Sequence, residues 1–162
     1  MEVNGCREAL ASILATEVAQ LTELASLLER EHGVLVANDI PALEALMAQR
    51  GLAASRLLDA EEERRTLCRM HGRGIDAAGV LQLMAWCDPR GTLKPRWDEC
   101  AKGAARCREL NDRNGALVMA RMKRVETLLT ALTGQPREVP TYGPKGAYSQ
   151  ARPGGRMLAT EA

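Results

Sequence analysis

The chain has 162 residues, a net charge of +1 and 46% apolar residues, enough for one domain or for one domain and a tail. Leu and Ala dominate the apolar set, Phe is absent, and only two Trp and two Tyr occur. Helix-forming residues thus outnumber those that strands prefer, and we predict an all-α fold with a thin core. The near-zero net charge argues against nucleic-acid binding. No run approaches the roughly 20 apolar residues of a membrane span, so no membrane insertion is expected.

Residues 4–71 predict two long helices joined by one short turn. In the first helix, leucines recur at the seven-residue spacing of a helix that packs along another helix: Leu14, Leu21, Leu28 and Leu35. Asn38 and Asp39 interrupt the pattern, and Asp39 followed by Pro41 is typical of a capped helix start. So short a connection predicts a long antiparallel helical hairpin, and its length predicts an elongated bundle.

A short helix and a third long helix are predicted next. Asp76 is a candidate cap for a helix over residues 77–87, and Thr92 for a helix that ends near Gly134, while Asn4 is a candidate cap for the first helix. After Gly134 the apolar periodicity stops and Pro and Gly become frequent. We therefore expect a helical bundle domain over residues 1–134 and an irregular C-terminal tail over residues 135–162.

The cysteines and histidines do not form a recognisable reactive site. The five cysteines contain no Cys-x-x-Cys pair, so we predict reduced thiols that serve as small buried hydrophobic residues. Glu29-x-x-His32 is half of a di-iron motif without its second half, and Cys68-x-x-His71 supplies only two zinc ligands. With only two histidines, no catalytic triad can be drawn. We expect no metal, no cofactor and no enzymatic activity.

Two asparagines on the last long helix have two interpretations. Helical steps from Cys100 and Cys107 lead to Asn111 and Asn114, and then to apolar residues. If the amides lie on the apolar seam, they need partners and can set the register of the bundle. The alternative is that they lie at its solvated edge.

The chain resembles the FlgN-type flagellar export chaperones. The resemblance lies in Leu21-x-x-Leu24-x-x-Leu27, in Asn38-Asp39-x-x-Ala42-Leu43-x-x-Leu46, in Asn111-x-x-Asn114-x-x-Leu117 and in the tail string Thr141-Tyr142-Gly143-x-x-Gly146. It implies a small, cytoplasmic, all-helical protein that is not an enzyme. It also implies partners: the hook–filament junction proteins FlgK and FlgL, held before secretion, and the flagellar export gate. We predict no signal peptide, because Glu2, Arg7 and Glu8 precede any apolar run, and this agrees with the cytoplasmic location that the resemblance implies.

In this family, client capture is assigned to the C-terminal region, and the residues suit that role. The last helix offers an apolar stripe that an amphipathic client segment can cover, and the tail holds both tyrosines, which suit binding. We predict that the client-binding residues are Val118, Met122, Val125, Leu129, Leu132, Tyr142 and Tyr148. The alternative function is a structural helical-bundle or coiled-coil module that oligomerises without a client, and self-association is left open in both cases.

Overall fold

A computed structural model describes residues 2–134 of the chain. It contains helices α1 (Val3–Ala37), α2 (Ile40–Met70), α3 (Ala77–Cys87) and α4 (Lys94–Thr133), with no strand among these residues. The all-α prediction is therefore confirmed, and the four helices begin and end close to the predicted positions. Tyr142 and Tyr148 lie outside the described residues. Within residues 2–134, no helix combines the length and the hydropathy that crossing a membrane requires.

The turn between α1 and α2 is built by two polar residues. Asn38 adopts a left-handed conformation with φ 59°, which ends α1 and which asparagine tolerates better than most residues. The Asp39 carboxylate accepts a hydrogen bond of 3.1 Å from the backbone N–H of Ala42, and Pro41 occupies the first turn of α2. The chain therefore reverses over two residues and α2 runs back along α1.

Two of the predicted caps are wrong. The position before α1 belongs to Glu2, whose side chain makes no capping hydrogen bond, and Asn4 lies inside the helix. Before α4, the hydroxyl of Thr92 donates to Asp88 (2.8 Å), and the other Asp88 oxygen accepts from the backbone N–H of Leu93 (2.7 Å). Buried Asp88 thus organises the start of α4, since a carboxylate can accept both bonds at once. Asp76 behaves as expected and accepts from the N–H of Gly79.

The core is the leucine face of α1 with its neighbours from the other helices. The heptad leucines are all buried: Leu14, Leu21, Leu28 and Leu35. Cys6, Cys68, Cys87, Cys100 and Cys107 are likewise buried and free, as predicted for small hydrophobic residues. The main cluster unites residues of α1, α2, α3 and α4, so the short helix α3 contributes to the core through Val80, Leu83, Met84 and Cys87.

The chain forms two compact units, and the boundary lies inside α4. The first unit ends at Arg121 and contains the hairpin, α3 and the first part of α4; the second begins at Met122. α4 ends at Thr133, and Gly134 follows with φ 66° while its N–H bonds to the carbonyl of Thr130, as in a helix C-cap. The division into a bundle domain and a tail at Gly134 remains a prediction.

Candidate functional site

Two ion pairs lie between α1 and α2. Glu17 accepts a hydrogen bond of 2.9 Å from Nε of Arg64, and these side chains are only 5% and 12% exposed. Near the turn, Nη1 of Arg50 lies 3.2 Å from both carboxylate oxygens of Glu31. The pairs are two heptads apart on each helix, which is the arrangement of an antiparallel hairpin in a single register. Only this register pairs both acids with both bases.

The sequence contained a signal for these pairs that our prediction missed. The heptad line through Leu10 and Leu24 carries Glu17 and Glu31 at its alternate positions, and Arg50 and Arg64 have the same spacing on α2. Charges at apolar heptad positions point to buried partners, because an unpaired buried charge is costly. Glu17 and Glu31 are indeed buried.

α4 adds a third side chain to each pair. The guanidinium carbon of Arg64 lies 5.4 Å from the centre of the Trp97 ring, within the range of a cation–π contact. Nη2 of Arg50 donates a hydrogen bond of 2.8 Å to Oδ1 of Asn111. Trp97 and Asn111 are also two heptads apart, so one face of α4 contacts α2 at both ion pairs.

A second face of α4 contacts α1 through side chains that donate to backbone carbonyls. Sγ of Cys107 lies 3.3 Å from the carbonyl oxygen of Leu21, and Nδ2 of Asn114 donates to that of Leu28 at 2.8 Å. Cys100 and Leu14 make a longer contact of the same kind at 3.7 Å. Each step advances seven residues on both helices, so α1 and α4 run parallel in this unit.

The two asparagines therefore have different environments. Asn114 is buried against α1, and its Oδ1 lies 3.1 Å from Nδ1 of His32. Because Nδ2 of Asn114 donates to Leu28, Oδ1 is left as the acceptor and Nδ1 of His32 is the donor in this contact. Asn111 is exposed and faces Arg50 instead. The amides do not share one seam, and a role in register stays a prediction for both.

The buried cysteines are poor nucleophiles. Burial, reinforced by the nearby carboxylate of Glu17, raises the pKa of Cys100 to about 12. Burial also raises the pKa of Cys87 to about 12 and that of Cys107 above its ordinary value. A raised pKa keeps the thiol protonated at neutral pH, and the protonated form can donate the hydrogen bonds seen at Cys100 and Cys107. Within residues 2–134, no group of three or more ligating side chains is arranged to hold a metal ion.

The apolar stripe of α4, defined as Val118, Met122, Val125, Leu129 and Leu132, is exposed. Its side chains are 39 to 83% accessible, and the neighbouring Met119 and Leu128 are exposed as well. Val118, Val125 and Leu132 continue, at seven-residue steps, the heptad position of Trp97 and Asn111. The heptad position whose side chains contact α2 in the first unit is thus occupied by apolar residues toward the end of α4. A concentration of large exposed apolar side chains is typical of an interaction surface.

Comparison with known proteins identifies a family. A family model described as FlgN protein matches residues 1–150. Neither the curated proteins nor the solved structures gave a significant match. The match covers the hairpin, all of α4 and the tail string Thr141-Tyr142-Gly143, which are the segments that carried the resemblance. The chain belongs to the FlgN family, the flagellar export chaperones of hook-associated proteins.

Proposed function

We propose that this protein is a cytoplasmic chaperone that holds FlgK- and FlgL-type hook–filament junction proteins before secretion and delivers them to the flagellar export gate. The observation that carries the proposal is the exposed apolar stripe of α4, which lies in the C-terminal region of a chain that belongs to the FlgN family. This function requires no catalytic residue and no cofactor.

The proposed client contact is a helix laid along the stripe. Subunits awaiting export expose amphipathic segments that would otherwise associate prematurely, and an apolar helix face can cover them. Burying one Val, Leu or Met side chain contributes about 1.5–3 kcal/mol, whereas association costs about 4–15 kcal/mol. A stripe of five such residues therefore supports reversible binding, as delivery to an export gate requires.

Met119 and Met122 suit a surface that accepts more than one client. Both are exposed, at 66% and 55%. Methionine has an unbranched, polarisable side chain that adapts to different partner shapes. Tyr142 and Tyr148 are proposed as additional anchors, because tyrosine offers a large contact area with few rotatable bonds.

A single substitution in the stripe tests the proposal. Val125→Asp should weaken client binding at least about tenfold, because a carboxylate would have to be desolvated against an apolar client face. Val125 is 56% exposed, so the variant should keep the helical circular dichroism and melting temperature of the wild type. Binding is measured by titrating purified FlgK- or FlgL-type client into the full-length protein.

Leu58→Asp is the matched control. Leu58 is 64% exposed on α2, and the change introduces the same charge outside the stripe. It should leave client affinity unaltered. Equal affinity of the folded Val125→Asp variant and the wild type would refute the assignment of client binding to the stripe.

A further inference from the structure

The outer face of α3 is apolar, and the helix contains no charged residue. At about 100° per residue, its exposed side chains form one continuous face opposite the core, here called the α3 face: Ala78, Leu81, Gln82, Ala85 and Trp86. Leu81 and Trp86 are 42% and 39% exposed. A helix that packs on a core usually turns a charged face to solvent, so a helix without one is typical of an element that is covered on both sides.

The two long edges of the α3 face have different shapes. Along the Leu81 edge lies an open groove of about 380 Å³, lined by Leu81, Met84, Ala85 and the loop that leads into α4. Along the opposite edge, the ring of His71 lies 4.9 Å from the ring of Trp86. A groove that can receive an apolar side chain, next to an exposed aromatic anchor, is typical of a surface that binds a helix.

The acidic residues near α3 are already engaged. Asp76 accepts a hydrogen bond from the N–H of Gly79 at the start of the helix. Asp88 is buried, and both of its oxygens accept hydrogen bonds. Asp98 pairs at 2.5 Å with Lys94, which lines the groove. Each of these carboxylates thus has a partner within the protein.

Two arginines beside α3 carry unpaired charges. Arg90 is exposed, and its neighbours in the chain on both sides line the groove. Arg73 belongs to the loop along the other edge, which packs so closely on α3 that a Cβ on Gly79 would collide with the backbone of Gly74. Neither arginine forms an ion pair within residues 2–134. The unpaired charge beside the α3 face is therefore positive.

We propose that the α3 face is a second docking surface, which binds an amphipathic helix of a partner protein with acidic residues beside its apolar face. The 11 residues of α3 extend about 16 Å, the length of three turns of a partner helix. One apolar side chain of that helix enters the groove, and others cover Leu81 and Trp86. Its carboxylates face Arg90 and Arg73. The inference is independent of the proposed function, because the stripe lies on α4.

Other occupants match the α3 face less well. Two copies of this chain packed through their α3 faces would bring unpaired arginines together. Residues 135–162 carry four bases and two acids, so that segment is itself positive. An anionic membrane would match the charge, but a flat lipid surface places no side chain in the groove. Helices that lie on membranes also carry a strongly charged face, which α3 lacks.

The fluorescence of Trp86 tests the inference. Two synthetic amphipathic peptides without Trp have the same Leu positions and carry either Glu or Lys beside the apolar face. Titrated into the full-length protein at about 0.05 M salt, the Glu peptide should shift the emission to shorter wavelength and bind about tenfold more tightly than the Lys peptide. Trp86→Phe should remove the emission shift, which distinguishes Trp86 from Trp97. The preference should shrink at about 0.5 M salt, because screening weakens exposed charge pairs.

Two substitutions with matched controls assign the binding to the α3 face. Leu81→Asp should weaken binding of the Glu peptide at least about tenfold, whereas Leu58→Asp, the same change at an exposed leucine of α2, should not. Arg90→Glu should reduce the preference for the Glu peptide. Arg96→Glu reverses an exposed arginine about 200° around α4 from Lys94, away from the groove, and should keep the preference. Circular dichroism checks that each variant is folded.

Several results would overturn the inference. One is equal binding of both peptides by the wild type, and another is an unchanged preference in the exposed Arg90→Glu variant. Loss of the Trp86 response in Val125→Asp would place the peptide on the stripe instead.

The other occupants also give distinct results, each of which would overturn the inference. Vesicles with anionic lipid that shift the Trp86 emission when the Glu peptide does not would identify a membrane. A dimer in light scattering that Leu81→Asp dissociates would identify a second copy. An emission shift of Trp86 on truncation after Gly134 would identify the chain's own residues 135–162.

Discussion

At the scale of single residues, the apolar face of the bundle contains a few buried polar groups. Glu17, Glu31 and Asn114 are buried, and each has a partner from another helix. Leucines at heptad spacing tolerate sliding by whole heptads, whereas a buried carboxylate is satisfied only where its arginine arrives. We therefore predict that these polar residues favour one alignment among several that the leucines allow.

The Glu17–Arg64 pair yields a stability prediction. Glu17→Leu should lower the free energy of unfolding by about 3–5 kcal/mol, because Arg64 would remain buried without its hydrogen-bonded carboxylate and with only Glu61, 4.0 Å away, as an acidic neighbour. The double variant Glu17→Leu/Arg64→Leu should recover most of that loss, since two leucines would extend the apolar face. Urea denaturation of the wild type, both single variants and the double variant measures the coupling.

Glu31→Leu provides an internal comparison. Its partner Arg50 has a side chain that is 37% exposed and can turn toward water. Glu31→Leu should therefore lower the free energy of unfolding by less than Glu17→Leu does. If the Glu17→Leu/Arg64→Leu double variant were as unstable as Glu17→Leu alone, the ion pair itself, with Trp97 and Cys100 around it, would be shown to stabilise the fold.

At the scale of secondary structure, two polar residues build the turn between α1 and α2. Asp39 satisfies a backbone N–H at the start of α2, and Asn38 takes the left-handed conformation that reverses the chain. The same residues thus end one helix and start the next. A role of Asp39 in setting the register of the hairpin remains a prediction.

Asp39→Ala tests the capping role. It should lower the free energy of unfolding by about 0.5–2 kcal/mol, the usual cost of losing an N-cap side chain. Asp39→Ser, which retains an acceptor, should lose less. Both variants should bind client normally, because the turn lies outside the stripe; loss of binding by a folded Asp39→Ala protein would place the client surface near the turn instead.

At the scale of the whole molecule, the proposed function divides the chain by role. The hairpin, α3 and the first part of α4 bury the leucines and cysteines, while the stripe and residues 135–162 are proposed to bind client. A chaperone benefits from such a division because its client surface can remain exposed without weakening the core.

Truncation after Gly134 tests this division. The shortened protein should keep its helical circular dichroism and its melting temperature, because residues 135–162 lack the apolar periodicity of a core segment. Its affinity for FlgK- and FlgL-type clients should nevertheless fall, and Tyr142→Ala in the full-length chain should reproduce part of that loss. Client binding at full affinity by the truncated protein would exclude the tail from capture.

Much of the fold was accessible from the sequence because its signals are local. Helix-forming composition, heptad leucines and the Asn38-Asp39 turn predicted the four helices and the hairpin, and the cysteine spacing predicted buried thiols. The sequence wrongly predicted Thr92 as the cap of α4. The side chain that accepts the N–H of Leu93 is instead Asp88, five residues earlier, because the turn between Asp88 and Leu93 folds back.

The tertiary structure decided which helix each polar residue faces. Heptad spacing identifies a face but not its neighbour, so Asn111 and Asn114 looked alike in sequence although one contacts α2 and the other is buried against α1. Glu17 and Glu31 do carry a signal in the sequence, the spacing that they share with Arg64 and Arg50, but their contacts form only when α2 packs on α1. The sequence by itself determined the helices and the apolar positions of the stripe, and the tertiary structure decided that those positions are exposed. The partners of the buried charges lie far away in sequence, so those side chains meet only when the helices pack against each other.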